Sequence, residues 1–228
     1  MSKLNKFYAS DREQVLNNKY QNKILPKNAR TMTFENLENK EGFELAVKTF
    51  KFMQHNDFKS GVYMQGRPSV GKTSYLIAMY NHILNNLHII QNRYCADFSE
   101  IIITNSEEFY LDLDEKNPNI NRDNLLMDCM RSRFLFFDSI GSDKETISNT
   151  ERFKSLVNYR ELHRLPIFCT TNLTENYLNE RYTESCMNKL KLLAHPVKVT
   201  GEPFINKLIK QTDEKIQSFS YEAILNTL

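Results

Sequence analysis

Residues 66 to 73 read Gly66-Arg67-Pro68-Ser69-Val70-Gly71-Lys72-Thr73, a complete G-x-x-x-x-G-K-[ST] pattern, and it dictates what must surround it. Such a loop holds phosphate only when a strand delivers it and a helix begins at its end. The flanks supply both. Ser60 to Gln65 alternates and is apolar enough for a strand, while Thr73 to Asn86 puts Leu76, Ile77, Tyr80, Ile83 and Leu84 on one helical face. In that arrangement the loop amides from Gly66 to Ser74 and the positive helix end cradle phosphate. Lys72 reaches the β and γ oxygens, and the Thr73 hydroxyl ligates Mg²⁺. The glycines let the backbone approach the phosphates closely. A nucleoside triphosphate site is the expectation, with ATP or ADP and Mg²⁺ as its occupants.

The rest of the chain follows the same alternation. Helical spacing of Phe43, Val47 and Phe50 predicts a helix from Glu41 to Gln54, packed beneath the first strand. Strands are expected at residues 100–104, 133–138, 166–172 and 197–199, and helices after Asn105 or Ser106, at 151–163 and at about 178–193. The acidic, asparagine-rich stretch from Asp112 to Asn124 reads as a surface loop. The continuous apolar runs Arg133 to Asp138 and Pro166 to Asn172 suit strands buried on both faces of a parallel sheet. The fold class is therefore α/β, a parallel sheet of about five strands flanked by helices.

With 228 residues and 40% hydrophobic content, the chain has room for one such domain and an appendage. The formal charge of +2 is uneven: residues 1 to 30 carry seven Lys or Arg against two acids, net +5, leaving −3 for the remainder. This divides the chain into a basic N-terminal arm, 1–30, and an ATPase domain, 31–228. The arm is a candidate partner or DNA contact, with a short helix opened by Ser10-x-x-Glu13. Cys95, Cys129, Cys169 and Cys186 lie 34, 40 and 17 residues apart, with no metal-ligand spacing. No apolar run approaches the roughly 18 residues of a membrane span, and a cytoplasmic protein with reduced thiols is expected.

Asp138 ends an apolar strand 66 residues after Lys72, the place for the second acidic Mg²⁺ partner of a P-loop ATPase. The next residue, where many such ATPases carry an acid that activates water, is Ser139. A hydroxyl is no general base near neutral pH without a stronger base beside it. Slow hydrolysis is expected, or a relocated acid such as Asp143. Asn172, at the end of the following strand, can hold water or the γ-phosphate through its amide.

These pieces, in this order, resemble one family. The lead-in Leu25 to Asn36, the block Phe137-Asp138-Ser139-Ile140-Gly141, Asn158-Tyr159-Arg160, Thr170-Thr171-Asn172-Leu173 and the run Met187 to Gly201 are similar to the DnaC/DnaI-type replicative helicase loaders over about residues 24 to 204. IstB-like transposition ATPases share the same core blocks. The resemblance implies an AAA+ P-loop NTPase that engages a hexameric replicative helicase, self-assembles in ATP and helps place the ring on single-stranded DNA. It assigns Asn172 to the sensor 1 position and Arg181 to an arginine finger completing a neighbour's site. Arg160 becomes an interface residue facing a neighbour or DNA. Three departures from the family bear in turn on water activation, catalysis in trans and sensor 2 function: Ser139, Lys189 where the family has a second Arg, and Ile205 where the pattern carries Arg. The alternatives are a nucleotide-gated adaptor or inhibitor of a host helicase or loader with little turnover, and a transposase-assisting ATPase. The short arm stands where host loaders carry a helicase-binding domain.

Overall fold

The computed structural model describes residues 29–86, 101–114 and 122–218. The arm up to residue 28, with its expected helix at Ser10 to Glu13, lies outside them. After a 3₁₀ turn at Ala29–Thr31, the elements run α1 (Lys40–His55), β1 (Gly61–Gln65), α2 (Lys72–Asn85), β2 (Ile101–Asn105), α3 (Ser106–Asp114) and α4 (Arg122–Arg131). They continue as β3 (Phe134–Asp138), α5 (Ile147–Leu162), β4 (Ile167–Thr171), α6 (Glu175–Tyr182), α7 (Glu184–Leu193), β5 (Ala194–Lys198) and α8 (Phe204–Ser218).

The five strands form one sheet in the order β2-β3-β4-β1-β5, every pairing parallel. Side chains alternate across it, so each strand feeds two cores. Phe134, Phe136 and Phe168 join Val62, Met64 and Val197 on the face covered by α1 and α2. Leu135, Phe137, Ile167 and Cys169 join Tyr63 on the other face, under α3 to α7. Both central strands, β3 and β4, are buried at all five positions. That is the physical reason their sequences are unbroken apolar runs and not alternating ones.

Aromatic rings knit the first core. Phe136 stacks on Phe168 with centroids 4.7 Å apart, and Phe43 lies flat on Tyr75 at 3.8 Å. The second contact fixes α1 against the first turn of α2, where the nucleotide loop ends. Among the described residues β5 pairs with β1 alone, and its outer edge carries Pro196, which has no N–H to offer another chain.

Three expectations change. The stretch from Asp112 to Asn124 is not wholly loop: α3 runs through Asp114, α4 starts at Arg122, and 115–121 lies outside the described residues. Leu125, Cys129 and Met130 make a buried helical stripe on α4 that the polar composition upstream disguised. The single helix expected at about 178–193 is two. Thr183 sits at φ 74° and ψ 146°, and its hydroxyl accepts from Cys186 N to cap α7; a side chain competing with the backbone in this way ends one helix and starts another. Finally, α8 follows β5 where no helix was expected. Its sequence places Phe204, Leu208 and Ile209 at helical spacing.

Candidate functional site

The phosphate loop leaves β1 at Gly66 and enters α2 at Lys72. Gly66 passes so close to Val199 that a Cβ would stand 2.6 Å from its carbonyl oxygen. Gly71 caps α2 at φ 105°, a conformation glycine takes without strain. Arg67, Pro68 and Ser69 are exposed, Ser69 at φ 61°, whereas Val70 is tucked into the core. The loop is thus anchored at one apolar residue while the three side chains before it are exposed.

Lys72 is buried at 6% exposure, and its Nζ donates to Gly66 O at 2.8 Å and Arg67 O at 2.6 Å. Those carbonyls occupy the ammonium in place of phosphate oxygens. Removal from water pushes its pKa down to about 8, opposed by the negative charge of Asp138.

Asp138 ends β3 beside it, as the sequence implies. Thr73 Oγ1 donates to Asp138 Oδ2 at 2.7 Å, and Thr170 Oγ1 donates to Oδ1 at 2.5 Å. A hydroxyl and a carboxylate this close form a hard-oxygen pair suited to Mg²⁺. The donor set therefore fits the metal expected of a nucleotide site, with Thr73 and Asp138 to hold it. The backbone then turns left-handed at Ser139, φ 55°. Ser139 lines a cleft of about 740 Å³ together with Gly71, Lys72, Thr73, Ser74, Thr170 and Asn172. Asn172 is exposed there, across from the loop.

The far wall of the cleft comes from two segments distant in sequence. Met32, Asn36, Leu37, Glu38 and Asn39 precede α1, and Glu202 follows β5. Asn39 ties them together: its Nδ2 donates to Thr200 O at 3.1 Å and to Val70 O at 3.4 Å. The sequence reading did not assign these residues. Thr170 was also left without a role, although alternation along β4 puts it on the same side of the strand as Asn172, two residues later.

Three expected site residues lie elsewhere. Arg181 does not project toward a neighbour: Nη2 pairs with Asp143 Oδ2 at 2.6 Å and Nη1 donates to Gly141 O at 2.8 Å, with the side chain 2% exposed. Asp143 is no free base. Oδ1 accepts from Ser106 Oγ, and Oδ2 accepts from both Asn149 Nδ2 and Arg181. These three hydrogen bonds brace the turn after β3. Arg160 is fully buried and donates to the carbonyls of Cys129, Met130, Ser132 and Pro166. It caps the negative end of α4, with its guanidinium enclosed in its own chain. Burial pushes its pKa down to about 9, which still leaves it charged at neutral pH. Lys189, in the second finger position, donates to Asn158 Oδ1 on the adjoining helix.

No group of acidic, His and Cys side chains able to hold a metal occurs among the described residues. Cys129, Cys169 and Cys186 are unpaired and buried. No described helix is long and apolar enough to cross a membrane.

No protein-family model matches the sequence, and no curated protein matches it. Solved structures do match in three dimensions. A DnaI structure superposes with a TM-score of 0.63 at 20% identity, over 78% of this chain and 93% of that one. The DnaC helicase loader superposes at 0.60 and 18% identity, over 77% of this chain and 100% of its own. DnaA from Aquifex aeolicus bound to AMPPCP gives 0.60 at 17% identity, over 86% of this chain and 56% of that one. The parallel sheet, its flanking helices and these neighbours together make the fold of this chain that of the AAA+ P-loop ATPases.

Proposed function

We propose that this chain is an ATP-binding helicase loader, which engages a hexameric replicative helicase and helps place it on single-stranded DNA. The observation that carries the reading is the match in fold to DnaI and DnaC over nearly the whole of those chains, joined to a site in which Thr73, Asp138 and Lys72 converge. A bound nucleotide with Mg²⁺ supplies concentrated negative charge and a metal. The chain's own residues do the rest. Lys72 exchanges two loop carbonyls for phosphate oxygens, Thr73 and Asp138 hold the metal side, and Asn172 faces the terminal phosphate from β4. The domain begins at about residue 31, with the basic arm before it as a contact for the helicase or DNA. Co-purification with candidate replicative helicases in ATP, ADP and a non-hydrolysable analogue tests the reading. Capture of a hexameric helicase in one nucleotide state supports it, and no capture in any state removes it.

A second reading is favoured by the surroundings of Ser139. Asp143, the acid that could have stood in for the missing one, is paired with Arg181. Such a site suits a nucleotide-gated adaptor or inhibitor that turns over slowly. Helicase unwinding with and without the protein separates the two, because a loader raises it and an inhibitor lowers it.

A further inference from the structure

Asp138 has its carboxylate fixed from two sides, and only the Thr73 side belongs to the phosphate loop. The other is Thr170, a buried hydroxyl on β4 with 1% exposure. Ser139 N donates to Thr170 Oγ1 at 2.9 Å, and an amide N–H can do nothing else. Thr170 Oγ1 therefore spends a lone pair on Ser139, and its own hydrogen points at Asp138 Oδ1, 2.5 Å away. The direction of the proton is determined by the backbone. Asp138 Oδ1 is thereby held as an acceptor, and the carboxylate is oriented from the β4 side.

The same strand also fastens the turn beyond. Ile140 N donates to Thr170 O at 2.8 Å, and Thr171 Oγ1 donates to Ile140 O at 2.9 Å. Leu173 N in turn donates to Thr171 Oγ1 at 3.1 Å. The Thr170 hydroxyl thus touches Asp138 and Ser139, while the Thr171 hydroxyl touches only the backbone of Ile140 and Leu173; the Thr171 carbonyl accepts from Gly66 N at 3.3 Å. The two threonines are adjacent and equally buried, yet only one is joined to the carboxylate.

We propose that Thr170 is a positioning residue for Mg²⁺: its hydroxyl orients Asp138, and so sets how much the metal tightens nucleotide binding. The inference rests on the nucleotide-site reading above. It also makes the end of β4 the link between the metal side and Asn172, since Thr170 is in the strand and Asn172 follows its last residue, Thr171.

The test is the ratio of dissociation constants for a fluorescent ATP analogue in EDTA and in Mg²⁺, measured on the full chain and on Thr170→Val, Thr170→Ser and Thr171→Val. Thr170→Val is expected to cut the ratio about tenfold, the loss of one hydrogen bond to a charged group, while affinity in EDTA stays within twofold. Thr170→Ser keeps the hydroxyl and is expected to retain the ratio. Thr171→Val removes an equally buried hydroxyl and is expected to leave it unchanged. An unchanged ratio in Thr170→Val, or an equal fall in Thr171→Val, overturns the proposal with nucleotide binding intact. Should Thr170→Val not fold, the serine variant decides: a lost ratio there overturns the role of the hydroxyl. Absence of nucleotide binding by the unaltered chain would instead defeat the nucleotide-site reading itself, and the proposal with it.

Discussion

Arg181 and Asp143 form an ion pair sealed within one chain, 2.6 Å apart with each side chain 2% exposed. Removing one partner leaves the other charged and dry, which costs about 3–5 kcal/mol. Arg181→Ala is therefore expected to lower unfolding free energy by that amount in urea. The folded fraction of Arg181→Ala is expected to bind a fluorescent ATP analogue as the unaltered chain does, since Arg181 does not line the cleft.

Lys72 gives the site a pH signature. Its folded pKa of about 8 lies below the ordinary 10.5, so above pH 8 the free protein loses the charge that meets phosphate. Nucleotide affinity is expected to fall as pH rises through about 8, by up to about tenfold per unit. The stability effect has the opposite sign. The unfolded chain holds this proton up to about 10.5, so the penalty of burying the ammonium is full below pH 8 and is relieved between 8 and 10.5. Titration of affinity from pH 7 to 10 checks the first statement. Lys72→Ala is expected to bind weakly and lose the slope.

Ser139→Glu places a carboxylate where Asp143 cannot serve. Single-turnover ATP hydrolysis is expected to rise about tenfold or more, within the usual range for a positioned base. Asp143→Asn, by contrast, is expected to change stability and leave the slow chemical step of the unaltered chain in place.

Arg160→Met should act on the fold alone. It strips the donors from four buried carbonyls, and the expected loss is about 3 kcal/mol or more in denaturant. Affinity of the folded fraction for single-stranded DNA is expected to be unchanged, as the guanidinium has no exposure.

Much of the fold was legible because periodicity reports burial. The runs at Phe134–Asp138 and Ile167–Thr171 are unbroken because both faces of those strands are covered. The loop from Gly66 to Thr73 could be read because its conformation admits few residues. What escaped depends on long-range contacts. Arg181 and Arg160 look like surface charges in the sequence, and nothing local says that the carboxylate of Asp143, 38 residues earlier, or the end of α4 will enclose them. Thr183 resembles any helical threonine until its hydroxyl turns to Cys186 N. The role of Thr170 needed the register that sets β4 beside β3.

Asn39 joins two stretches of chain that are 161 positions apart, and Glu202, beside the second of them, is both a wall of the cleft and the partner of Lys210 on α8 at 2.8 Å. The helix that follows has 15 residues and so is about 22 Å long. Through that ion pair the helix is tied to the wall of the cleft.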